Sequence, residues 1–461
     1  MQKLFYEIGS LDKRCYEQFA LSEDILMEHA SFSLYEYIEK NFKDESSIFI
    51  VCGPGNNGAD GIALSRLLYG RYNVKLFLPF GSKSKMSKIQ LKRAELLNVN
   101  IIEEIQDCDV IVDCLFGSGL NKDLNVESQN IIKKLNSFDS FKIACDIPSG
   151  INNLGQVTTC AFTADVTITM GALKVALYTD IAKDYVGKIK VSNLGIQREV
   201  YETSSNLFLL EEQDMNLPFR EKKNSHKGNF GHLNVIAGCK KGAGAIAAKA
   251  AFGFGAGLVS VVCHEDIDLP YHIMQTHFIS PNCTAIAIGM GLGIYEIAEI
   301  EKILTKDIPL IIDADLLHDK VILTALEKEV VLTPHPKEFC SLLKLCGIDN
   351  LDVETLQNNR FSYVELFCKK YPKVVLLLKG ANVLIAQNDK IYVNSYGTSA
   401  LAKGGSGDVL SGLVGSLLAQ GYPPLDAAIT ASLAHAKAAS NYKKNNYSLI
   451  PADLIEEVRK I

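Results

Sequence analysis

Two glycine-rich loops combine backbone amides with acidic side chains, a composition that suits binding of a charged ligand. The first, CGPGNNGADG (52–61), follows an apolar run and contains two asparagines and Asp60. The second, GGSGD (404–408), places glycines directly before Asp408, where a helical pattern begins. Amides at a helix N-terminus stabilise a phosphoryl group, and Asp408 could accept a proton from an attacking hydroxyl. An aspartate N-cap on a tight turn is the alternative for the second loop.

The first loop has the G-x-G-x-x-G spacing of a dinucleotide-binding turn at Gly53, Gly55 and Gly58. Such a site also needs an acid about 20 residues later, at the end of the second strand. The corresponding run, NVKLFLPFG (73–81), contains no acid. The sequence therefore excludes a cofactor site of that kind, and a structural turn remains the alternative to a binding loop.

Two more loops follow apolar runs of the same half. VDCLFGSGL (112–120) carries Asp113, and ACDIPSGIN (144–152) carries Asp146 and Ser149. The carboxyl ends of parallel strands form the ligand crevice of open α/β sheets, and buried carboxylates there need a partner. Amide, carboxylate and hydroxyl oxygens suit an alkali or alkaline-earth cation. The alternative is that the aspartates cap neighbouring turns.

The second half contains further polar residues at the ends of apolar runs. His335 lies between two prolines in LTPHPKEF, and Lys379 ends LLLKG. His335 is a candidate ligand contact or a packed turn histidine, and Lys379 a phosphate contact or a solvated hairpin lysine. Asp313 and Asp315 in IIDADLL suit a magnesium–water cluster or a bridge between loops.

Short apolar runs that alternate with helical patterns must position these residues. Predicted strands cover 46–53, 73–79, 109–117, 141–150, 164–170 and 187–195, then 232–238, 257–263, 285–293, 309–315, 329–335 and 373–380. A helical segment at about 4–42 precedes them, and the alternation pauses over the polar stretch 197–231. This pattern predicts two α/β domains with parallel sheets and helices on both faces, divided near residues 205–215.

Composition limits the class of protein. The chain has 461 residues, 48% of them hydrophobic and 22% charged, as expected for a globular protein of two domains. The net charge of −6 argues against a general binder of nucleic acid or anionic membranes. Twelve scattered cysteines without a C-x-x-C pair indicate reduced thiols. Without a signal peptide or membrane-length apolar run, we expect a cytoplasmic protein.

GPGNNGADG, VDCLFGSGL and DIPSGIN, in this order, resemble the signature loops of the YjeF N-terminal domain, the NAD(P)HX epimerase. The resemblance covers residues 1–205 and implies a Rossmann-like three-layer α/β/α domain. It implies a potassium ion held by Asn57, Asp113 and Ser149, and Asp146 as the group that transfers the proton. The substrate contacts it implies are Asn56, Asn57, Gly58, Ala59, Asp60, Gly117, Ser118, Gly119, Leu120, Asn121, Lys122, Asp123 and Asp146. Ala59 stands where the family usually has glycine.

HKGNFG, IGMGLG, LTPHPKEF, LKGANV and GGSGDVLSG resemble the ribokinase-like NAD(P)HX dehydratase domain. The resemblance covers residues 216–461 and implies a second α/β/α domain. It implies that Ala243, Gly291, His335 and Asp408 contact the hydrated nucleotide. The implied contacts to ADP or ATP are Lys379, Gly380, Ala381, Asn382, Val383, Thr398, Ser399, Ala400, Leu401, Ala402, Lys403, Gly404, Gly405, Ser406 and Gly407. Val383 stands where threonine is more usual.

Together the resemblances imply a repair enzyme for hydrated NADH and NADPH. The first domain would interconvert the R and S epimers at C6. The second would phosphorylate the C6 hydroxyl of the S epimer from ADP or ATP with magnesium, with Asp408 as base, and phosphate loss would regenerate NAD(P)H. A cytoplasmic homo-oligomer that binds neither nucleic acid nor membrane is expected. The alternatives are a small-molecule kinase of the ribokinase-like fold and a non-catalytic nucleotide-sensing scaffold.

Overall fold

The computed structural model describes residues 1–461, and strands alternate with helices along the chain. Its contacts divide the chain into two units. The N-terminal unit is Lys3–Ser205, and the C-terminal unit is Asn206–Ile461 together with Met1–Gln2. None of the helices combines the length and apolar character that crossing a membrane requires.

The first part of the chain, through residue 205, contains nine strands and six helices. The strands are β1 (Gln2–Phe5), β2 (Ser47–Cys52), β3 (Asn73–Phe77), β4 (Ile101–Ile102), β5 (Val110–Cys114), β6 (Phe141–Cys145), β7 (Val166–Met170), β8 (Leu173–Lys174) and β9 (Lys188–Ser192). The helices are α1 (Gly9–Gln18), α2 (Glu23–Asn41), α3 (Asn56–Leu68), α4 (Lys85–Leu96), α5 (Val126–Asn136) and α6 (Arg198–Tyr201).

Seven of these strands form a parallel sheet in the order β4-β3-β2-β5-β6-β7-β9. Alternate residues of β2 belong to different cores, as the period of two in a strand requires. Ile48 and Ile50 pack in the core that contains residues of α2 and α3, whereas Phe49 and Val51 pack in the core that contains residues of α5. Helices therefore cover both faces, and the predicted three-layer α/β/α fold is confirmed.

The rest of the chain contains ten strands and eight helices. The strands are β10 (Leu207–Leu209), β11 (His232–Ile236), β12 (Leu258–Val262), β13 (Met274–Thr276), β14 (Ala285–Ile288), β15 (Leu310–Ile312), β16 (Val330–Leu332), β17 (Val375–Leu378), β18 (Val383–Gln387) and β19 (Lys390–Asn394). The helices are α7 (Lys241–Gly253), α8 (Ile297–Leu304), α9 (Pro336–Leu345), α10 (Val353–Asn358), α11 (Arg360–Lys370), α12 (Ser406–Ala419), α13 (Pro424–Asn441) and α14 (Pro451–Val458).

The sheet of the C-terminal unit is parallel from β13 through β12, β11, β14, β15 and β16 to β17. β18 and β19 then form an antiparallel hairpin, and β10 pairs parallel with β19. The mostly buried helix α12 packs with α7 and α13 in one core on this sheet. The α/β class predicted for this half is confirmed.

The structure differs from the sequence prediction at several elements. The hairpin β18–β19 and the short strands β1, β4, β8, β10 and β13 were not predicted. The predicted helical segment at 4–42 is two helices, α1 and α2, preceded by β1. Helix α12 begins at Ser406, two residues before the predicted start. Glycine at 407 is compatible with helical geometry, and the amides of a first helical turn have no partner within the helix.

Helix α3 lies unusually close to the sheet at Gly61. A Cβ atom at this residue would lie 2.5 Å from Cys52 Sγ and 2.7 Å from Cys114 Sγ, on the adjacent strands β2 and β5. Because both thiols are buried, neither has free space into which to move. The close packing of α3 on the sheet fixes the distance between the strand ends and the loop that precedes the helix.

We therefore expect Gly61→Ala to destabilise the protein by roughly 1–3 kcal/mol through overpacking. Scanning calorimetry should show a lower unfolding midpoint, by roughly 2–4 °C for each kcal/mol in a unit of this size. The control is Gly119→Ala, because a Cβ at Gly119 meets no atom within 4 Å. Equal midpoints for the two variants would contradict the close packing of α3.

Candidate active sites

A cavity of about 790 Å³ lies in the N-terminal unit, at the carboxyl ends of β2, β5 and β6. The loop after β2, the loop after β5 and the residue after β6 form most of its wall, and Ile8, Gly9 and Asp12 near the start of α1 contribute the rest with Met170. Strand ends meet here because all three strands run parallel.

The structure brings most of the predicted substrate contacts of this unit to that one cavity. The residues on its wall are Asn56, Asn57, Asp60, Gly117, Ser118, Gly119, Leu120, Asn121, Lys122, Asp123 and Asp146. Gly58 and Ala59 are buried in the first turn of α3 and are not among the residues that line the cavity. Ala59 has no left-handed backbone conformation and packs with Met27 and Met86, so the methyl group that replaces the usual glycine is accommodated.

Asp113 and Ser149 form a buried hydrogen-bonded pair beside the cavity. Ser149 Oγ donates to Asp113 Oδ1 at 2.7 Å, and the Ser149 amide donates to Asp113 Oδ2 at 2.8 Å. Burial raises the pKa of Asp113 to about 6, although the bonds from Ser149 act in the opposite direction. A fully buried carboxylate whose pKa rises in this way is one that a neighbouring cation would stabilise.

Asn57 completes a set of oxygen ligands for such a cation. Its Oδ1 atom lies beside Gly117, where an added Cβ would be 3.2 Å from that oxygen. The Phe116 carbonyl, at 3.2 Å from Ser149 Oγ, joins the same region. Amide, carboxylate, hydroxyl and carbonyl oxygens in one region fit a hard monovalent or divalent cation.

Asp146 faces the cavity from a left-handed backbone position, with φ of 69°. Its Oδ1 atom accepts from Lys174 Nζ at 2.5 Å and from the Met170 amide at 3.1 Å. Lys174 is only 2% exposed and also donates to Thr169 Oγ1 at 2.7 Å. The backbone strain and the buried lysine together hold this carboxylate at one place.

Sequence reasoning missed Lys174 and Asp12. A signal for the first was present, because Lys174 is the one charged residue in the apolar run MGALKVALY, and a buried lysine needs a partner. Asp12 accepts a 2.8 Å bond from Tyr201 OH, across 189 residues of sequence. No local pattern could have revealed that contact.

In the C-terminal unit the predicted residues follow neighbouring parallel strands. Gly291 follows β14 and Ala243 lies in the first turn of α7, and an added Cβ on Gly291 would be 3.0 Å from Ala243 Cβ. His335 follows β16 and Lys379 follows β17. The strand order β11-β14-β15-β16-β17 therefore places all of these residues along one edge of the sheet.

An ion pair joins the centre of this edge to helix α12. Lys379 Nζ donates to Asp313 Oδ1 at 2.8 Å, and Ser411 Oγ donates to Asp313 Oδ2 at 2.7 Å. A Cβ on Gly407 would lie 3.5 Å from Lys379 Nζ, so this lysine faces the first turn of α12. Asp313 thus bridges loops, as one of the two predictions for it stated, and Asp315 does the same by accepting from the Gly293 amide at 2.9 Å.

Asp408 lies in that first turn of α12. Gly405, at φ of 90°, is the N-cap residue, and no side chain caps the helix. The amides of the turn therefore point away from the helix without a side-chain partner, as an anion site requires. Burial raises the pKa of Asp408 above its ordinary value, with the Asp313 carboxylate acting in the same direction and Lys379 against it. Asp408 is not the N-cap of α12, so that alternative is wrong.

His335 is the N-cap of α9. Its Nδ1 accepts from the amides of Lys337 and Glu338, and Glu338 Oε2 accepts from the His335 amide at 2.7 Å. The Nε2 atom lies 3.0 Å from Glu338 Oε1, and the ring is exposed. The structure thus gives His335 the turn role that was the alternative to ligand binding, while its ring stays accessible at the strand end.

The predicted nucleotide contacts occupy two segments, 379–383 and 398–407. Buried Arg360 supports the first by donating to the carbonyl oxygens of Lys379 and Asn382, at 3.1 and 3.0 Å. In the second, Thr398 Oγ1 is buried without a hydrogen-bond partner. Lys403 Nζ donates to the Tyr447 carbonyl at 2.9 Å.

Buried His435 supports the glycine-rich turn from α13. Its Nε2 atom lies 3.0 Å from the Ser406 carbonyl oxygen, to which it must donate, and 3.2 Å from Ser406 Oγ. Burial lowers the pKa of His435 to about 4. The neutral ring therefore fixes the residue at which α12 begins.

Comparison with known proteins assigns relatives to both halves of the chain. Residues 23–176 match the YjeF-related protein N-terminus family, and residues 233–460 match the NAD(P)H-hydrate dehydratase family. A bifunctional NAD(P)H-hydrate repair enzyme Nnr of Helicobacter pylori is 45% identical over 479 aligned residues, covering 100% of both chains.

Further relatives are more distant. The Escherichia coli protein of the same name is 31% identical and covers 90% of this chain and 84% of its own. The solved ADP/ATP-dependent NAD(P)H-hydrate dehydratase of Bacillus subtilis, co-crystallised with ATP and Mg²⁺, is 27% identical. It covers 56% of this chain and 98% of its own, with a TM-score of 0.48.

The role of His435 makes stability depend on pH in a defined direction. Its folded pKa of about 4 lies below the ordinary value of 6.5. The stabilisation from the neutral ring is therefore complete above pH 6.5 and is lost toward pH 4, at about 1.4 kcal/mol per pH unit. We expect His435→Gln to lack this component of the slope in urea unfolding between pH 7 and 5.

The matched control is His264→Gln, because His264 is exposed. This control should follow the wild type over the whole range. If His435→Gln also followed it, the inferred burial of a neutral ring beside Ser406 would be wrong.

Proposed function

The chain belongs to the family of bifunctional NAD(P)H-hydrate repair enzymes, and we propose that each of its two units carries one of the two reactions. As a member, it is an NAD(P)HX epimerase and an ADP- or ATP-dependent NAD(P)HX dehydratase. We assign epimerisation to residues 1–205 and dehydration to residues 216–461. A relationship that extends over both halves leaves no support for the lone kinase or the non-catalytic scaffold.

The proposal for dehydration rests chiefly on Asp408 in the uncapped first turn of α12, beside Lys379. Asp408 removes the proton from the C6 hydroxyl of the S epimer, and the oxygen attacks the terminal phosphoryl group of ADP or ATP, which breaks its bond to the bridging oxygen and releases AMP or ADP. The amides of Gly404 to Gly407 stabilise the negative charge that grows on the phosphoryl oxygens. The ring nitrogen then expels phosphate from C6, and loss of a proton from C5 yields NAD(P)H.

The remaining predicted contacts surround this centre. His335, Gly291 and Ala243 would hold the hydrated nucleotide at the neighbouring strand ends. The segments 379–383 and 398–407 would hold the second nucleotide, with the unpaired Thr398 hydroxyl as one hydrogen-bonding group. Magnesium would be held mainly by the phosphates, because the chain has no group of three or more His, Cys, Asp or Glu side chains placed to bind a metal.

The proposal for epimerisation rests on Asp146, whose carboxylate faces the 790 Å³ cavity and is held by Lys174. The loops 56–60 and 117–123 would contact the hydrated nucleotide, and Asp146 would exchange a proton with it. Asn57, Asp113 and Ser149 would hold potassium, which supplies a positive charge beside the buried Asp113 carboxylate. Assembly into a homo-oligomer and a cytoplasmic location stay predictions.

The dehydratase assignment is tested with Asp408→Asn. On a mixture of both epimers with ADP or ATP and magnesium, the wild type should restore absorbance at 340 nm. The variant should do so roughly 10²–10⁴-fold more slowly, because it lacks the general base, while exchanging the epimers at the wild-type rate. The control Asp426→Asn changes an exposed carboxylate of the same unit and should retain recovery. No recovery by the wild type with either nucleotide would contradict the assignment.

The potassium assignment is tested without an activity measurement. Potassium chloride should raise the thermal midpoint above that in choline chloride of equal ionic strength, by about 1.4 kcal/mol of stability at ten times Kd. Ser149→Ala should abolish this difference, whereas Ser137→Ala, which removes an exposed hydroxyl, should keep it. The same increase in Ser149→Ala and wild type would contradict a cation held at Ser149.

A further inference from the structure

Three buried ionisable side chains belong to the cavity region of the N-terminal unit. Asp146, Asp60 and Lys174 are 7%, 8% and 2% exposed. The two aspartates line the cavity, and Lys174 lies behind Asp146. One cation thus faces two carboxyl groups that any bound substrate would contact.

Lys174 forms its ion pair with Asp146 and not with Asp60. Lys174 Nζ lies 2.5 Å from Asp146 Oδ1, and its other protons go to Thr169 Oγ1 at 2.7 Å and the Met170 carbonyl at 3.3 Å. Every protein hydrogen bond to the Asp146 carboxylate ends on Oδ1, including that from the Met170 amide at 3.1 Å. The ion pair therefore fixes Asp146 through Oδ1 and leaves Oδ2 for the cavity.

Asp60 has the opposite surroundings. Its backbone carbonyl accepts from Ser31 Oγ at 3.0 Å, but its carboxyl group has no protein hydrogen-bond partner. Burial raises its pKa, and the acidic groups that face it from α1, α2 and the end of β6, namely Asp12, Glu23 and Asp146, raise it further. Lys174 is the opposing charge, but it is paired with Asp146. These surroundings favour the protonated form of Asp60.

We propose that Asp146 and Asp60 act as the base and the acid of epimerisation, opening and reclosing the C6–N1 bond, with Lys174 as the positioning residue of the base. This inference rests on the proposed function of the N-terminal unit. The C6 hydroxyl of the hydrate is attached to the carbon beside the ring nitrogen, so the group is a carbinolamine that can open to an aldehyde and an amine.

The two carboxyl groups take up and supply every proton that moves in this step. Asp146 Oδ2 takes the hydroxyl proton, the C6–O bond becomes C=O, and the C6–N1 bond breaks with its electron pair on nitrogen, which takes the proton of Asp60. Rotation about C5–C6 then presents the other face of the aldehyde. N1 attacks that face and returns its proton to Asp60, while Asp146 returns its proton to oxygen.

The fixed position of Lys174 favours this route over loss and return of water. In the water route Asp60 would protonate the leaving hydroxyl, and Asp146 would deprotonate the water that adds to the opposite face. Each turnover would then leave a charged Asp60 without a partner and a neutral Asp146 beside Lys174. Ring opening instead returns each carboxyl group to the state that its surroundings stabilise.

The test uses the full chain and one purified epimer of NADHX, with formation of the other epimer followed by chromatography between pH 5 and 9 and corrected for the spontaneous rate. The wild-type rate should fall at alkaline pH, because the step needs the protonated form of Asp60. Asp60→Asn should be slower by roughly 10²–10⁴-fold and should lack the alkaline limb. An unchanged rate or an alkaline limb that persists in Asp60→Asn would overturn the inference.

Lys174 is tested by the split between kcat and KM for epimerisation. Lys174→Met should lower kcat at a nearly unchanged KM, and Lys174→Arg should recover most of the lost kcat, whereas a lysine needed only for folding would not change the kcat of the folded protein. ADP-dependent dehydration of the S epimer should be unchanged in all three variants, because it belongs to the other unit, and the unfolding transition of the N-terminal unit in scanning calorimetry reports that this unit is folded. An unchanged kcat in folded Lys174→Met would overturn the role given to Lys174.

The route is tested in water enriched in ¹⁸O. Ring opening retains the original C6 oxygen, so epimer formed by the enzyme should carry no label, whereas incorporation of one ¹⁸O for each epimerisation would overturn the route. Failure of the wild type to accelerate exchange would instead overturn the proposed function of this unit. That outcome is distinguishable from an active wild type with an equally active Asp60→Asn.

Discussion

A carboxyl group taken out of water has to be paired with a cation, saturated with hydrogen bonds or left protonated. Each buried aspartate at the two sites satisfies this constraint in a different way. Asp146 is paired with Lys174, Asp313 with Lys379 and Ser411, and Asp113 with Ser149. Asp60 has no such partner and is therefore the group that stays neutral. The chemistry available at each position follows from which of these three arrangements the fold provides for the carboxyl group.

The fold provides these arrangements through two features of parallel sheets. Strands that run the same way bring their carboxyl ends to one edge, so residues far apart in sequence become neighbours. The helix that follows a strand must then approach the sheet closely enough to place its first turn above that edge. At Gly61 the approach depends on the absence of a side chain above two buried thiols.

The loops that face the ligand could be predicted from the sequence, whereas the groups behind them mostly could not. Glycine-rich turns with Asp60 or Asp408 are local patterns, and the order of apolar runs placed the turn with Asp60 at a strand end. Tyr201 and Asp12 are joined by the folded chain alone, so sequence spacing carries no trace of their contact. The hairpin β18–β19 was not among the predicted strands, and only the alternative of a hairpin lysine at Lys379 pointed to it. His335 was ambiguous because the same imidazole can cap a helix and face a ligand.

The two sites use a buried aspartate for different tasks, and their surroundings differ accordingly. In the proposed dehydration, Asp408 would only have to remove one proton before the leaving phosphate makes the reaction irreversible, so a single half-buried carboxyl group beside an anion site suffices. Epimerisation runs equally well in both directions, and no phosphate drives it. A base alone would trap the opened product without a proton for nitrogen. Since the reverse step must find both groups in their starting states, a paired carboxylate and an unpaired carboxylic acid in one cavity form the arrangement that a reversible reaction requires.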